Sequence, residues 1–192
     1  MDPFLRLARS LGRSGVRFVL IGLSGINLHA RSASEVFATQ DRDLFLPSDP
    51  DNALAAWRVS ERLGLELWCG REPLERPRDQ VLAERVIASR ALVRATDHAG
   101  LDVDFSLVMA GFDFETVWNE RRIFRVEGVE VPVARLVHIV ESKRRAGRDK
   151  DRLFFVTHGE AIRDLLESQR EETPGRPRGR PRDRHRKPAP RR

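Results

Sequence analysis

The decisive stretch is Phe18-Val19-Leu20-Ile21-Gly22-Leu23-Ser24-Gly25, followed downstream by Thr39-Gln40-Asp41-Arg42-Asp43-Leu44-Phe45-Leu46. Arg17–Ile21 is a run of β-branched and large apolar residues, which predicts a buried strand that stops at Gly22. Ser24–Ala30 then predicts a short helix opened by the glycine turn. Asp41–Leu46 predicts a second strand, ended by Pro47. Alternate strand residues project to one face, so Asp41 and Asp43 are expected side by side.

The pattern extends in both directions. Phe4, Leu7, Ala8 and Leu11 recur at helical spacing within residues 3–13, before Gly12 and Gly15. Asp49 or Ser48 is placed to cap a helix over Asn52–Leu63, with Pro50 in its first turn. Leu65–Trp68 predicts a strand and Glu75–Arg78 a loop, whereas Val81–Ile87 fits either a helical turn or a strand. Ala91–Ala95 and Leu101–Val108 predict a hairpin about Asp97-His98-Ala99-Gly100. Phe114–Glu120 predicts a helix, and Ile123–Val131 a further hairpin about Glu127-Gly128. After Pro132, residues 134–146 predict an amphipathic helix with Leu136, Val137 and Val140 buried and Gly147 as its C-cap. A last helix is expected from Asp149 to about Gln169. Strands and helices in this order predict an α/β or α+β domain with a mixed sheet.

Asp41 and Asp43 repel unless a cation lies between them, and an oxygen-only donor set suits Mg²⁺. The hairpin strand Leu101-Asp102-Val103-Asp104-Phe105-Ser106 supplies a third carboxylate, from Asp102 or Asp104, enough for a two-metal site of the kind used in phosphoryl chemistry. Gly22 allows a tight turn, and the helix start at Ser24 and Gly25 can hold a phosphate. Taken singly, each feature has a plainer reading. A D-x-D pair serves turns, a glycine after a strand is a bend, and Lys143 and Arg148 are solvated partners of a helix end.

The chain of 192 residues carries a formal net charge of +6, unevenly spread. Nine of its 35 basic residues and one of its 29 acidic residues lie in 173–192, so residues 1–172 net −2. That distribution excludes a uniformly basic nucleic-acid-binding domain. Residues 1–170 are expected to form the folded domain. From 171 to 192 the chain is rich in arginine and proline, cannot bury a core, and is expected to be disordered. Within it, Arg176-Pro177-Arg178-Gly179-Arg180-Pro181-Arg182 resembles an AT-hook, whose Arg-Gly-Arg core enters the narrow minor groove of A·T-rich DNA. Nonspecific contact with DNA or RNA, and plain solubility, are the competing readings of 176–182. A single cysteine, Cys69, excludes an internal disulfide. The longest uncharged stretch, residues 18–30, is too short and polar to span a bilayer, so a cytoplasmic protein without membrane contact is expected. His29 is expected on a helix surface or behind the site, His138 and His158 in helices, and no zinc site is expected. Trp57, Trp68 and Trp118 are expected to fill the core or cover its edge.

Gly22 with Asp41-x-Asp43, then hydrophobic-Asp104-Phe105, then Val131-Pro132-Val133 and Lys143-x-x-Ala146-Gly147-Arg148-x-Lys150-Asp151 resemble the nucleotidyltransferase superfamily. The resemblance spans roughly Arg17–Leu166 and is closest to the single-domain bacterial branch similar to abortive-infection and toxin–antitoxin nucleotidyltransferases. It implies a polymerase-β-like palm, a short mixed sheet flanked by helices. It implies Asp41, Asp43 and Asp104 as ligands of two Mg²⁺, with Asp104 also helping to deprotonate the acceptor. Gly22 and Ser24 would contact the NTP phosphates, and Lys143 and Arg148 would neutralise their charge. The implied activity is transfer of a nucleoside monophosphate from an NTP such as ATP to a hydroxyl, on an RNA or tRNA 3′ end or a protein side chain, with an antitoxin as partner. Two positions depart from the family pattern: Leu23 stands where a small residue is usual, and Arg42 where an apolar one is usual. The competing expectation is a catalytically degenerate nucleotide- or DNA-binding regulatory module that uses the tail.

Overall fold

In a computed structural model, which describes residues 1–32, 35–97 and 99–171, the local signals resolve into seven helices and one mixed eight-stranded sheet. His98 and the AT-hook-like tail lie outside the described residues. Helix α1 (Pro3–Arg13) begins where Asp2 accepts a hydrogen bond from the Leu5 amide, and it buries Phe4, Leu5, Leu7, Ala8 and Leu11. Strand β1 (Val19–Ile21) runs directly into α2 (Gly22–Leu28), and β2 (Asp41–Phe45) follows. Asp49 caps α3 (Pro50–Arg62), after which come β3 (Glu66–Cys69) and the two-residue β4 (Glu72–Pro73).

The ambiguous segment is α4 (Gln80–Ser89): Asp79 caps it through the Leu82 amide, and Leu82, Ala83 and Val86 are buried at helical spacing. Next come β5 (Val93–Thr96), β6 (Asp102–Ser106), α5 (Phe114–Glu120), β7 (Arg122–Val126) and β8 (Val129–Val133). Helix α6 (Leu136–Ala146) stops at Gly147, whose φ of 59° provides the left-handed cap, and α7 (Asp149–Glu171) closes the described fold.

The strand order is β4-β3-β5-β6-β2-β1-β8-β7, with β2/β6 and β1/β8 parallel and every other pairing antiparallel. Alternation along the strands divides the core. Leu20, Leu44, Val103 and Phe105 pack with α1, α3 and α4, whereas Val19 and Phe45 pack with α5, α6 and α7. Asp41 and Asp43 share the face of Phe45, which is the α6/α7 side. No helix among the described residues is long and apolar enough to cross a membrane.

Two expectations need correction. Val137 is 44% exposed, because the buried stripe of α6 runs through Leu136, Ile139 and Val140 and position 137 falls outside it. His29 is buried, not on a helix surface. It stands at the end of α2 and packs edge-on against Phe124 of β7 at 5.0 Å. Its Nε2 lies 2.9 Å from the Ala134 carbonyl and its Nδ1 2.8 Å from Gln169 Nε2. With the Gln169 amide so oriented, these contacts match the neutral imidazole with the proton on Nε2. Of the tryptophans, Trp57 is fully buried, while Trp68 and Trp118 are half-buried.

Candidate functional site

Strand register assembles the site. Parallel pairing sets Asp41 opposite Asp102 and Asp43 opposite Asp104. The hairpin sets Arg94 opposite Asp104 and Thr96 opposite Asp102. Three adjacent strands therefore carry a transverse row, Asp43–Asp104–Arg94, on one face. Directly opposed carboxylates repel, so this arrangement needs compensating positive charge.

Arg94 supplies part of it. Its Nε donates to Asp104 Oδ1 at 2.7 Å and a terminal nitrogen donates to Oδ2 at 2.9 Å; another terminal nitrogen lies 3.8 Å from Asp102. The bonds to Asp104 hold the guanidinium firmly charged. Among the described residues Asp43 has no such partner. Burial, then the neighbouring charges of Asp104 and Asp41, push its carboxyl above the usual range, and Lys143 and Lys150 oppose that rise.

The glycine turn meets this row at its edge. Ile21 pairs with Asp43, and Gly22 follows at φ 67°. A Cβ on Gly22 would lie 2.1 Å from Asp43 Oδ2, so the carboxylate occupies space that only glycine leaves open. Ser24 is buried, and its hydroxyl donates to the Asp41 carbonyl, tying α2 to β2. Leu23 is half-buried against the α5/α6/α7 side of the core. Arg42 faces the opposite side of the sheet, over the Phe4 ring at 5.7 Å, and donates to the Gln40 and Asp41 carbonyls. Its burial cost is avoided because β1 ends at Ile21, opposite Asp43, and leaves the β2 edge open there.

Helices α6 and α7 provide the cationic wall. Asp151 is 1% exposed and accepts from Lys143 Nζ at 3.2 Å and from Arg148 Nε at 2.9 Å. Burial would raise its carboxyl, but the bonds from Arg148 and Lys143 outweigh it and leave it below the usual range. Two clefts meet at Asp43, Lys143 and Lys150. One, of 560 Å³, passes Gly22, Arg94 and Asp104 toward Leu92 and Val108. The other, of 740 Å³, passes Thr39, Gln40 and Asp41 toward Phe154.

Asp41, Asp43, Asp104, Gly22, Lys143 and Arg148 thus all border one connected site, whereas the Ser24 hydroxyl is bonded internally. Asp104, rather than Asp102, lies opposite Asp43 and lines the cleft. Among the described residues no three His, Cys, Asp or Glu side chains form a ready-made metal cage. Asp41 and Asp43 fit a divalent cation as adjoining oxygen donors, but both oxygens of Asp104 are bonded to Arg94. Sequence reasoning gave Arg94, Lys150 and Asp151 no role. No spacing rule brings Arg94 to Asp104 or Asp151 to Lys143: a turn at 97–100 counts Arg94 opposite Val103, and Gly147 ends α6 between Lys143 and Asp151, which stands on α7.

The sequence matches no protein-family model and no curated protein.

Proposed function

We propose that the protein is a Mg²⁺-dependent nucleotidyltransferase that moves a nucleoside monophosphate from an NTP to a hydroxyl. The observation that carries this reading is the opposition of Asp43 and Asp104 across β2 and β6, at the glycine turn and facing a lysine-rich wall. In this reading the fold is a polymerase-β-like palm, and Asp41 and Asp43 hold the divalent cation. The cation would bind phosphate oxygens and offset their developing charge.

The remaining roles fall to the chain itself. Lys143, Lys150 and Arg148 draw the triphosphate to the wall and neutralise it, with Asp151 fixing two of the three. Gly22, lacking a Cβ, leaves the Asp43 carboxylate its place beside the triphosphate. Asp104 holds Arg94 at the acceptor side of the cleft through its two hydrogen bonds, and the acceptor's hydroxyl proton passes to water. The acceptor oxygen bonds to the α-phosphorus as the bond to the bridging oxygen breaks, and pyrophosphate leaves. An RNA such as tRNA suits a basic tail through its phosphates, and a protein hydroxyl is the other acceptor class. An antitoxin partner and a phage-defence setting belong to the same proposal.

A second reading, nucleotide or DNA binding without transfer, is favoured by the internally bonded Ser24 hydroxyl and the arginine on Asp104. The deciding experiment incubates purified protein with each α-labelled NTP, Mg²⁺, and either tRNA or cell lysate. Label should reach an RNA or protein band, and Asp41→Ala and Asp43→Ala should abolish it. No transfer under any condition, or unchanged activity in the variants, overturns the enzyme reading.

A further inference from the structure

We propose that Arg94 is the resident second cation of the site, so that the chain binds one divalent metal ion, on Asp41 and Asp43, and not two. This rests on the nucleotidyl-transfer reading and changes its ion count. In a two-metal site the ions sit about 3.5–4 Å apart, and carboxylates of the site hold and bridge them. Asp104 would have to supply oxygen to the second ion. Here each of its oxygens already accepts a hydrogen bond from one guanidinium, at 2.7 and 2.9 Å, in the bidentate form that arginine makes with carboxylates. Only 13% of the Asp104 side chain is exposed, so little of it remains for an ion to reach.

Three further features make Arg94 a fixture and not a passing occupant. It is the direct cross-strand neighbour of Asp104 in the hairpin, so the pairing is set by backbone register. It bridges toward Asp102, the next residue on the same face of β6, which adds a second carboxylate to its anchorage. A guanidinium cannot lose its proton at ordinary pH, so the charge is permanent. A divalent ion on Asp104 would face this fixed positive charge across a single carboxylate. Asp43, by contrast, has no arginine of its own among the described residues, and its carboxylate stays ready for an ion. Arg94 lines the same cleft as Asp43 and Gly22, so the fixed charge stands in the space through which an acceptor would enter.

The count of bound ions tests this directly. Full-length protein is titrated with Mn²⁺ alone, and free Mn²⁺ is followed by electron paramagnetic resonance, with circular dichroism to verify folding. The wild type should bind one Mn²⁺ per chain. Arg94→Ala should bind two, close enough to couple magnetically and broaden the bound signal, while Arg94→Lys, which keeps the charge, should remain at one. Asp43→Asn should bind none. Two sites in the wild type, or only one in folded Arg94→Ala, overturns the inference and leaves nucleotidyl transfer standing. No binding by the wild type overturns the transfer reading and this inference with it. If Arg94→Ala does not fold, the wild-type count still decides between one ion and two.

Discussion

Gly22 and Asp43 compete for one volume: the position a Cβ would take on Gly22 lies 2.1 Å from Asp43 Oδ2. Substitution at Gly22 therefore acts on the carboxylate as well as on the backbone. Gly22→Ala should cost about 1–2 kcal/mol for its left-handed φ and should also swing Asp43 away, abolishing Mn²⁺ binding. Gly15→Ala is the control. Its φ is 73°, yet nothing lies within 4 Å of its added Cβ. It should show the same backbone strain with ion binding intact. Urea denaturation and Mn²⁺ titration of both variants separate the two effects; loss of binding in Gly15→Ala as well would contradict the steric account.

Asp43 carries a charge that the metal-free fold resists. Burial and the neighbouring Asp104 and Asp41 raise its carboxyl above the usual range, so the ionised form at neutral pH favours the unfolded chain. Asp43→Asn removes that penalty. In EDTA its Tm should exceed the wild type's; a rise of ~2–4 °C would correspond to about 1 kcal/mol in a chain of this size. Mg²⁺ should then raise the wild-type Tm and leave the variant unmoved. A less stable variant in EDTA would refute the electrostatic reading.

The sequence displayed half of this site and concealed the other half, for a geometric reason. Local signals were sufficient for β1, the Gly22 turn, β2 and the β5/β6 hairpin. Counting outward from a turn at 97–100 would set Arg94 opposite Val103. The observed register pairs Thr96 with Asp102 and so brings Arg94 to Asp104, a one-residue difference that flips the face and that the sequence does not decide. The parallel β2/β6 register, which joins Asp43 to Asp104, is set by packing between segments some sixty residues apart. No local pattern encodes it. Val137 falls off the buried face because four apolar residues in five, 136, 137, 139 and 140, allow more than one helical face, and the choice belongs to tertiary contacts. His29 was misread because the groups that bury it, Phe124 and Gln169, arrive from remote elements.

Two buried histidines make stability fall on acidification. Burial, chiefly, holds His29 below 6.5, with its bond to the Ala134 carbonyl opposing and Arg122 adding to the depression. His138 is depressed by burial too, against the pull of Glu120, and its Nδ1 is buried without a hydrogen-bond partner. The unfolded chain takes up these protons first. Stability is therefore full above pH 6.5 and lost as pH falls from there toward the folded values, by up to about 1.4 kcal/mol per pH unit for each histidine. Urea midpoints at pH 7.5 and 5.5 should show the drop, and a His29→Gln/His138→Gln variant should show a smaller one. An equal drop in both proteins would assign the effect to other groups.

Asp151 is a positioning residue whose loss should be felt first as instability. It lies buried between Lys143, whose side chain is 15% exposed, and Arg148, whose side chain is 61% exposed. Removing its charge strands Lys143 in a poorly hydrated place, while Arg148 simply returns to water. Breaking a buried pair from one side costs about 3–5 kcal/mol, and the hydrated Arg148 places Asp151→Asn at the lower end. Pairing it with Lys143→Met removes the stranded charge, so the double variant should recover part of that loss. A double-mutant cycle by urea denaturation measures the coupling. Under the proposed nucleotidyl transfer, the same variants should lose NTP affinity through Lys143 even where folding is preserved, seen as a raised KM in Asp151→Asn at low temperature. Additive destabilisation in the cycle, with KM unchanged, would remove Asp151 from any part in holding the cationic wall.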